Sequence, residues 1–291
     1  MFLLEHPTIR QIVNALEDLL SDSPKSYDTS PASIKTRTES QKNISLGNVV
    51  FHAPGSMRTA HSFRFSVERG LNFGSRVPLS RWDVSNATRT SAIYGNFAED
   101  ILTLPHGDWK MSKSELRSVN PVQLLLLEAS HTMFDGRHKA DKNVSIFVGL
   151  FSSLLTPGSS IAAPSREALG IYEGTANSSR SSIASGRISY VLGFTGPCLP
   201  VDTACSASLV ATHLAATSLR QNECSSAGVV AGGTLEAGLH AAFSTAGMLS
   251  ETGRCYSFDG RADGYSRGEG CVGFVCDTSK DGPSLKGSAV Q

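Results

Sequence analysis

The chain has 291 residues, of which 40% are hydrophobic and 18% are charged. This composition can bury a sizeable core and excludes wholesale disorder, and the length allows one large domain or two ordinary ones. The formal net charge is zero, so the overall electrostatics favour neither a nucleic acid nor an anionic membrane as a partner.

The first predicted element is an amphipathic helix over residues 7–20. Its apolar side chains recur at helical spacing, from Ile9 and Ile12 to Leu16 and Leu20. Residues 21–47 are rich in Ser, Thr, Lys and Pro and lack apolar periodicity, which is typical of a linker. We therefore predict that a second unit begins at residue 48.

Within the second unit, short apolar strands alternate with apolar helices. Trp82 is predicted to be buried in a loop, and residues 151–177 form a long Ser- and Gly-rich loop. The helices are predicted over 122–134, 178–193 and 206–220, and the strands over 145–149, 196–203 and 227–233. This alternation predicts a layered α/β architecture whose sheet is covered on both faces.

Cys205 occupies the predicted turn between a strand and a helix, in the stretch Val201–Ala211. Backbone N–H groups and the dipole at a helix start favour an anion, so we expect a lowered thiol pKa and a reactive thiolate. The same N–H groups can stabilise an oxyanion during acyl transfer. Cys205 is therefore the candidate nucleophile, and an inert core thiol is the alternative for such a cysteine taken alone.

The sequence offers no obvious base for this cysteine. None of the eight histidines has a recognisable catalytic context, and His213 lies about 12 Å from Cys205 along the predicted helix, too far for a hydrogen bond.

The six cysteines show no C-x-x-C or metal-site spacing, which favours a reducing compartment. No secretory leader or membrane-length apolar run is present, so we expect a cytoplasmic protein without a membrane partner.

The stretch around Cys205 resembles the active-site motif of β-ketoacyl synthases, specifically the ketosynthase domains of modular type I polyketide synthases. Asn120–Glu128 is similar to the family helix D-P-Q-Q-R-L-L-L-E, with Asn120, Val122 and Leu124 as departures. Further similar segments are Arg76–Pro78, Arg81–Asp83, Ser185–Tyr190, Leu192–Pro197, His213–Arg220, Ala231–Gly233, Gly247–Ser250, Gly253–Cys255, Phe258–Gly270 and Lys286–Gln291.

The resemblance implies a thiolase-like, layered αβαβα fold, of which the N-terminal half and part of the second half are present. It implies that Cys205 accepts an acyl chain from a carrier thioester, for decarboxylative Claisen condensation in a longer parent protein. The substrates would be phosphopantetheine-linked and held on an acyl carrier domain, with no cofactor bound directly. The family also implies a homodimer in the full-length protein.

The resemblance suggests a domain order for the chain. Phe2–Ile9 is similar to the end of a carrier domain, so residues 1–20 are predicted to be its last helix, with a docking helix as the alternative. The linker follows over 21–47, and a ketosynthase domain truncated at its C-terminus covers 48–291. The family histidine motifs H-G-T-G-T and N-x-G-H do not occur, so the fragment alone is not expected to catalyse condensation.

Two other functions stay open at this stage. A non-catalytic dimerisation or scaffold remnant fits the altered Asn120–Glu128 helix and the missing histidine motifs, and a simple cysteine hydrolase would use Cys205 alone.

Phe243 is a candidate for an acyl tunnel or for core packing. The charged residues of the glycine-rich segment are expected to shape the pocket or to form a buried ion-pair and turn network: Asp259, Asp263, Arg267 and Glu269.

Overall fold

A computed structural model describes residues 42–85, 91–99, 101, 109, 111–112, 119–135, 141–151, 181–279 and 282–290. The chain divides into a unit of residues 1–41 and a unit of residues 42–291, and every described residue belongs to the second unit. The predicted helix over 1–20, the linker up to residue 41 and the predicted loop after residue 151 therefore lie outside the described residues.

A mixed sheet of six strands forms the centre of this unit. Its strands are β1 (Ile44–His52), β4 (Val144–Gly149), β5 (Cys198–Val201), β6 (Ser226–Gly233), β7 (Gly270–Asp277) and β8 (Ser284–Leu285). Their order across the sheet is β5-β4-β6-β7-β1-β8, with β4 parallel to both of its neighbours and the remaining pairs antiparallel. A separate antiparallel pair is formed by β2 (Gly74–Arg76) and β3 (Tyr94–Asn96).

Helices cover both faces of the sheet. The described helices are α1 (Ala60–Glu68), α2 (Pro121–Phe134), α3 (Ser181–Leu192), α4 (Ala207–Arg220) and α5 (Ala237–Thr245). Because successive side chains of a strand point to opposite faces, alternate residues of β4 enter different cores. Ile146 and Val148 pack with α2 and α3, whereas Phe147 packs with α4. The predicted layered α/β architecture is thus confirmed.

The best-predicted helix, α2, has clear sequence signals at its start. Asn120 accepts a hydrogen bond from the Val122 backbone N–H at 2.8 Å, and Pro121 occupies the first helical position, where its missing N–H does no harm. The leucines at 124–127 are all buried. This apolar run lies against β6, β7 and β1, so α2 forms much of the core on its side of the sheet.

The sheet begins earlier than the sequence indicated. The linker was predicted to extend to residue 47, but β1 starts at Ile44, which is fully buried and pairs with Leu285. The Ser45 hydroxyl donates a 2.7 Å hydrogen bond to the Asp277 carboxylate. Residues 44–47 therefore belong to the sheet, and the polar side chain of Ser45 finds its hydrogen-bond partner at the end of the neighbouring strand β7. None of the described helices is long and apolar enough to cross a membrane.

Candidate active site

Cys205 lies in a single 3-10 turn, Ala204–Ser206, that joins β5 to α4. Ala204 has a φ of 53°, in the left-handed region that a residue with a Cβ adopts at a cost of about 1–2 kcal/mol. The Asp202 carboxylate accepts a 3.1 Å hydrogen bond from the Ala204 N–H, and the Ser206 hydroxyl donates to the Thr203 carbonyl at 2.8 Å. These bonds fix the abrupt strand-to-helix turn expected from the sequence, and the cysteine in it is exposed.

A cavity of about 400 Å³ opens beside Cys205. The start of α4 contributes Ala207 and Ser208 to its wall, and the Ser206 side chain does not cap this helix. The Ser206 and Ala207 N–H groups donate to the Thr203 and Ala204 carbonyls within the turn, so the remaining N–H groups and the helix dipole are what favour negative charge at this helix start. The other lining residues are Val122, Gly149, Leu150, Phe151, Ala204, Ala231, Gly232, Gly233, Thr234, Glu236, Leu239, Arg267 and Gly268.

The end of β4 approaches the start of α4 so closely that only glycine fits. A Cβ on Gly149 would lie 2.9 Å from the Ser208 nitrogen and 3.0 Å from the Ala207 carbonyl carbon. Both of these atoms belong to the backbone, so relief would require the helix start itself to move. Gly149 therefore holds the turn of Cys205 against the sheet.

The Gly149→Ala variant is expected to lose about 1–3 kcal/mol of unfolding free energy, because the added methyl overpacks a backbone contact. The displaced helix start should also slow the alkylation of Cys205 by iodoacetamide. Urea unfolding and peptide mapping by mass spectrometry would measure the two effects. Gly186→Ala in α3 is the matched control, since a Cβ there meets nothing within 4 Å. Equal stability of the two variants would contradict this account.

An arginine and a phenylalanine that line the cavity pack together against a second phenylalanine. The guanidinium carbon of Arg267 lies 4.8 Å from the centre of the Phe243 ring, and this ring packs against Phe151 with 6.2 Å between the centres. Arg267 and Phe151 line the cavity, whereas Phe243 supports them from behind. Of the two candidates from the sequence, Arg267 lines the cavity, whereas Phe243 contacts the lining residues and does not line the cavity itself.

The buried ion pair of the glycine-rich segment joins Glu269 to Arg81. Arg81 donates through Nη1 to Glu269 Oε2 at 3.0 Å and through Nη2 to Oε1. The same carboxylate accepts from the backbone N–H groups of Leu235 at 2.8 Å and Ala98 at 3.1 Å. Leu235 lies between two residues that line the cavity, so this pair fixes the loop that forms the cavity wall.

The other two acidic residues of this segment lie away from the buried network. Asp259 pairs with Arg261 at 2.8 Å within an exposed turn, and Asp263 is exposed. The predicted buried network thus holds for Glu269 but not for Asp259 or Asp263. Arg81 was seen in the sequence only as part of a family loop, because its partner lies 188 residues further along the chain.

No histidine in the described part of the chain lines the cavity. His213 Nδ1 makes a 3.0 Å hydrogen bond with the Ser288 hydroxyl, and buried His240 contacts the Ala92 carbonyl at 3.0 Å. Burial lowers the pKa of His240, which favours its neutral form. Among the described residues, no group of three or more potential ligands is placed to hold a metal ion.

Cys205 differs from the cysteines of the sheet. Burial raises the pKa of Cys271 and of Cys276 to about 12, so both stay neutral thiols at physiological pH. Cys224 is also buried, and Cys198 is half-buried. The exposed thiols are those of Cys205 and Cys255, and of these two Cys205 lines the cavity.

Comparison with known proteins gives this site a context. Residues 49–281 match the family model of the β-ketoacyl synthase N-terminal domain. The chain is 30% identical to the PKS-NRPS hybrid synthetase acdB of Aspergillus candidus, over 99% of this chain and 12% of that protein. It is 34% identical to a mycocerosic acid synthase-like polyketide synthase of Mycolicibacterium smegmatis, over 79% of this chain and 11% of the relative.

A solved structure shares the fold. The ketosynthase from module 6 of the bacillaene synthase of Bacillus subtilis matches with a TM-score of 0.68 and 26% identity, over 82% of this chain and 40% of that one. The predicted thiolase-like α/β fold is thereby confirmed, and the described sheet with its two helical layers is part of it. The chain spans less than half of that structure and a small fraction of the curated relatives. The matches show that it belongs to the β-ketoacyl synthase family, in the region of the family's N-terminal domain.

Proposed function

We propose that this chain is the acyl-accepting part of a polyketide synthase ketosynthase. The Cys205 thiolate attacks the carbonyl carbon of an acyl thioester on the phosphopantetheine arm of a carrier domain. A new bond forms between Cys205 Sγ and this carbon, the bond from the carbon to the arm's sulfur breaks, and the arm takes up the proton that Cys205 released. The product is an acyl-cysteine thioester with a free arm thiol.

The observation that carries this proposal is an exposed cysteine in a strained turn at an uncapped helix start, facing a cavity of about 400 Å³. Strained backbone persists where the surrounding structure enforces it, and it is concentrated at functional sites. The helix start is suited to the negative charge that develops on the attacked carbonyl oxygen. The Cys205 N–H is the expected donor of this oxyanion hole.

The proposal is confined to the transfer onto Cys205. Ketosynthases decarboxylate and condense with two histidines in H-G-T-G-T and N-x-G-H motifs, which this sequence does not contain. We infer that the condensation belongs to the longer parent protein. The simple hydrolase is disfavoured because no described histidine lines the cavity as a base for water.

The test is incubation of the chain with a butanoyl pantetheine thioester, followed by intact-mass measurement and peptide mapping. We expect a mass increase of one butanoyl group that maps to the peptide containing Cys205. If no thioester acylates this peptide, the acyl-transfer function is wrong, and the non-catalytic remnant becomes the better account of the chain.

We further propose that the substrate reaches Cys205 on an acyl carrier domain. The relatives are polyketide synthases of which this chain matches only a small fraction, which supports a carrier as the partner. The assignment of residues 1–20 to the end of such a domain, the domain boundaries and the cytoplasmic location stay predictions.

A homodimer formed through β5 is part of the same proposal. In the described part of the chain, β5 is the outer strand of the sheet, and Leu199 on it is 47% exposed. Tyr190 on the neighbouring helix α3 is 88% exposed. An edge strand with exposed apolar side chains favours pairing with a second strand.

We expect the chain to sediment as a dimer and the Leu199→Lys variant to sediment as a monomer, because a charge at the strand edge opposes pairing. Analytical ultracentrifugation over a concentration series measures this. Leu79→Lys is the matched control, since Leu79 is 75% exposed and lies outside the sheet. A wild-type monomer at all concentrations would show that β5 does not form an interface in this chain.

A further inference from the structure

Arg267 has a buried donor that the described structure leaves unused. Its side chain lines the cavity beside Cys205, and its guanidinium group is held over the Phe243 ring. The Nη1 atom is buried and has no hydrogen-bond partner among the described residues. A buried guanidinium N–H without an acceptor is unfavourable, so the Arg267 side chain gains a hydrogen bond when it turns this donor toward an acceptor in the filled cavity.

The charge around Arg267 indicates what kind of acceptor fits. Burial lowers the pKa of Arg267, whereas the neighbouring Tyr265 and Glu236 raise it. Glu236 also lines the cavity, so its negative charge offsets part of the cost of burying the guanidinium. A second carboxylate would meet the repulsion of Glu236 in a confined space. A neutral oxygen, in a hydroxyl or a carbonyl group, can accept the hydrogen bond without this penalty.

The remaining wall gives this donor a specific role. Among the described lining residues, Arg267 is the one cation, and most of the others are glycine, alanine or aliphatic residues. A wall of this composition can pack against the carbons of an acyl chain and offers that chain few hydrogen bonds. A single charged donor in this setting distinguishes a chain that carries oxygen from one that does not.

We propose that the guanidinium group of Arg267 donates a hydrogen bond to a neutral hydroxyl or carbonyl oxygen of the acyl chain that is transferred to Cys205. The inference rests on the proposed acyl transfer and specifies its substrate class as oxygenated acyl chains. Arg267 is thus a specificity-determining residue, and Phe243 positions its guanidinium group.

The test compares 3-hydroxybutanoyl and butanoyl pantetheine thioesters as acyl donors to the complete chain. We expect the wild type to prefer the hydroxylated donor and Arg267→Met to lose about tenfold in its rate of acylation by that donor, since a hydrogen bond to a charged group is lost. The butanoyl rate should fall less than the 3-hydroxybutanoyl rate, so the ratio of the two rates should approach one in this variant. Arg267→Lys keeps a donor and should retain part of the preference. Arg254→Met is the control, because Arg254 is exposed and does not line the cavity.

The same acids on N-acetylcysteamine test whether the oxygen belongs to the acyl chain or to the arm. If the rate loss of Arg267→Met depends on the length of the arm and not on the presence of the acyl hydroxyl, the oxygen does not belong to the acyl chain and the assignment is wrong. Equal rates for both acids in the wild type would overturn it without any variant, even if Arg267→Met failed to fold. Acylation without a preference refutes the role of Arg267 alone, whereas no acylation by any donor refutes the proposed function and this inference together.

Discussion

Replacing Cys205 by alanine is expected to abolish acylation of the chain by thioesters. In the part of the chain that the structure describes, Cys205 is the one cysteine that lines the cavity. Cys271 and Cys276 are kept neutral and inaccessible by burial, so they cannot take over as nucleophiles. Cys198 and Cys255 do not line the cavity, so the loss of transfer at this site should be complete.

The matched control for this prediction is Cys255→Ala. Cys255 is also exposed, but its sulfur accepts a 3.1 Å hydrogen bond from the Ser266 N–H in a loop and does not line the cavity. We expect this variant to be acylated at the wild-type rate. Intact mass spectrometry under native conditions measures both variants in one experiment. An adduct that persists in Cys205→Ala would remove Cys205 as the acyl acceptor.

The sequence could predict those parts of the molecule whose signals are local. The apolar run of α2, the buried strand β4 and the turn at Cys205 all lie within short segments, and the structure places each of them as expected. No local pattern predicted the strands β1 and β7. Glycines interrupt β7, and an irregularity between Gly47 and Val50 breaks the alternation of β1. Their pairing joins residues more than 200 positions apart, which no local pattern reveals.

The cavity wall was only partly predictable for the same reason. The glycine-rich segment was recognised as pocket-shaping or structural, but charge pattern alone could not assign the partner of each residue. Glu269 pairs with Arg81 rather than with nearby Arg267, because the fold brings the loop after β2 beside the start of β7. Arg267 is consequently free to face the cavity. Only the tertiary contacts, and not the spacing in the sequence, show that Arg81 pairs with Glu269 and that Arg267 lines the cavity.

The Arg81→Met variant is expected to lose about 3–5 kcal/mol of unfolding free energy, because it leaves the Glu269 carboxylate buried without a compensating charge. The side chain of Glu269 is fully buried, and that of Arg81 is 10% exposed. Urea unfolding followed by circular dichroism measures the loss. Arg64→Met is the matched control, since its ion pair with Glu68 lies on the surface of α1 and should contribute no more than about 0.5 kcal/mol.

A second substitution separates the buried charge from the lost packing of the arginine. Glu269→Gln in the Arg81→Met background removes the uncompensated charge and keeps an oxygen for one of the backbone N–H groups of Leu235 and Ala98. This double variant should be more stable than Arg81→Met alone. If it is not, the arginine acts mainly through its contact with Phe97 and not through its charge.

The Arg81→Met variant should also slow the acylation of Cys205, although Arg81 itself does not line the cavity. Arg81 donates a hydrogen bond to the Leu235 carbonyl, and Leu235 lies between Thr234 and Glu236 in the cavity wall, so this part of the wall loses its support.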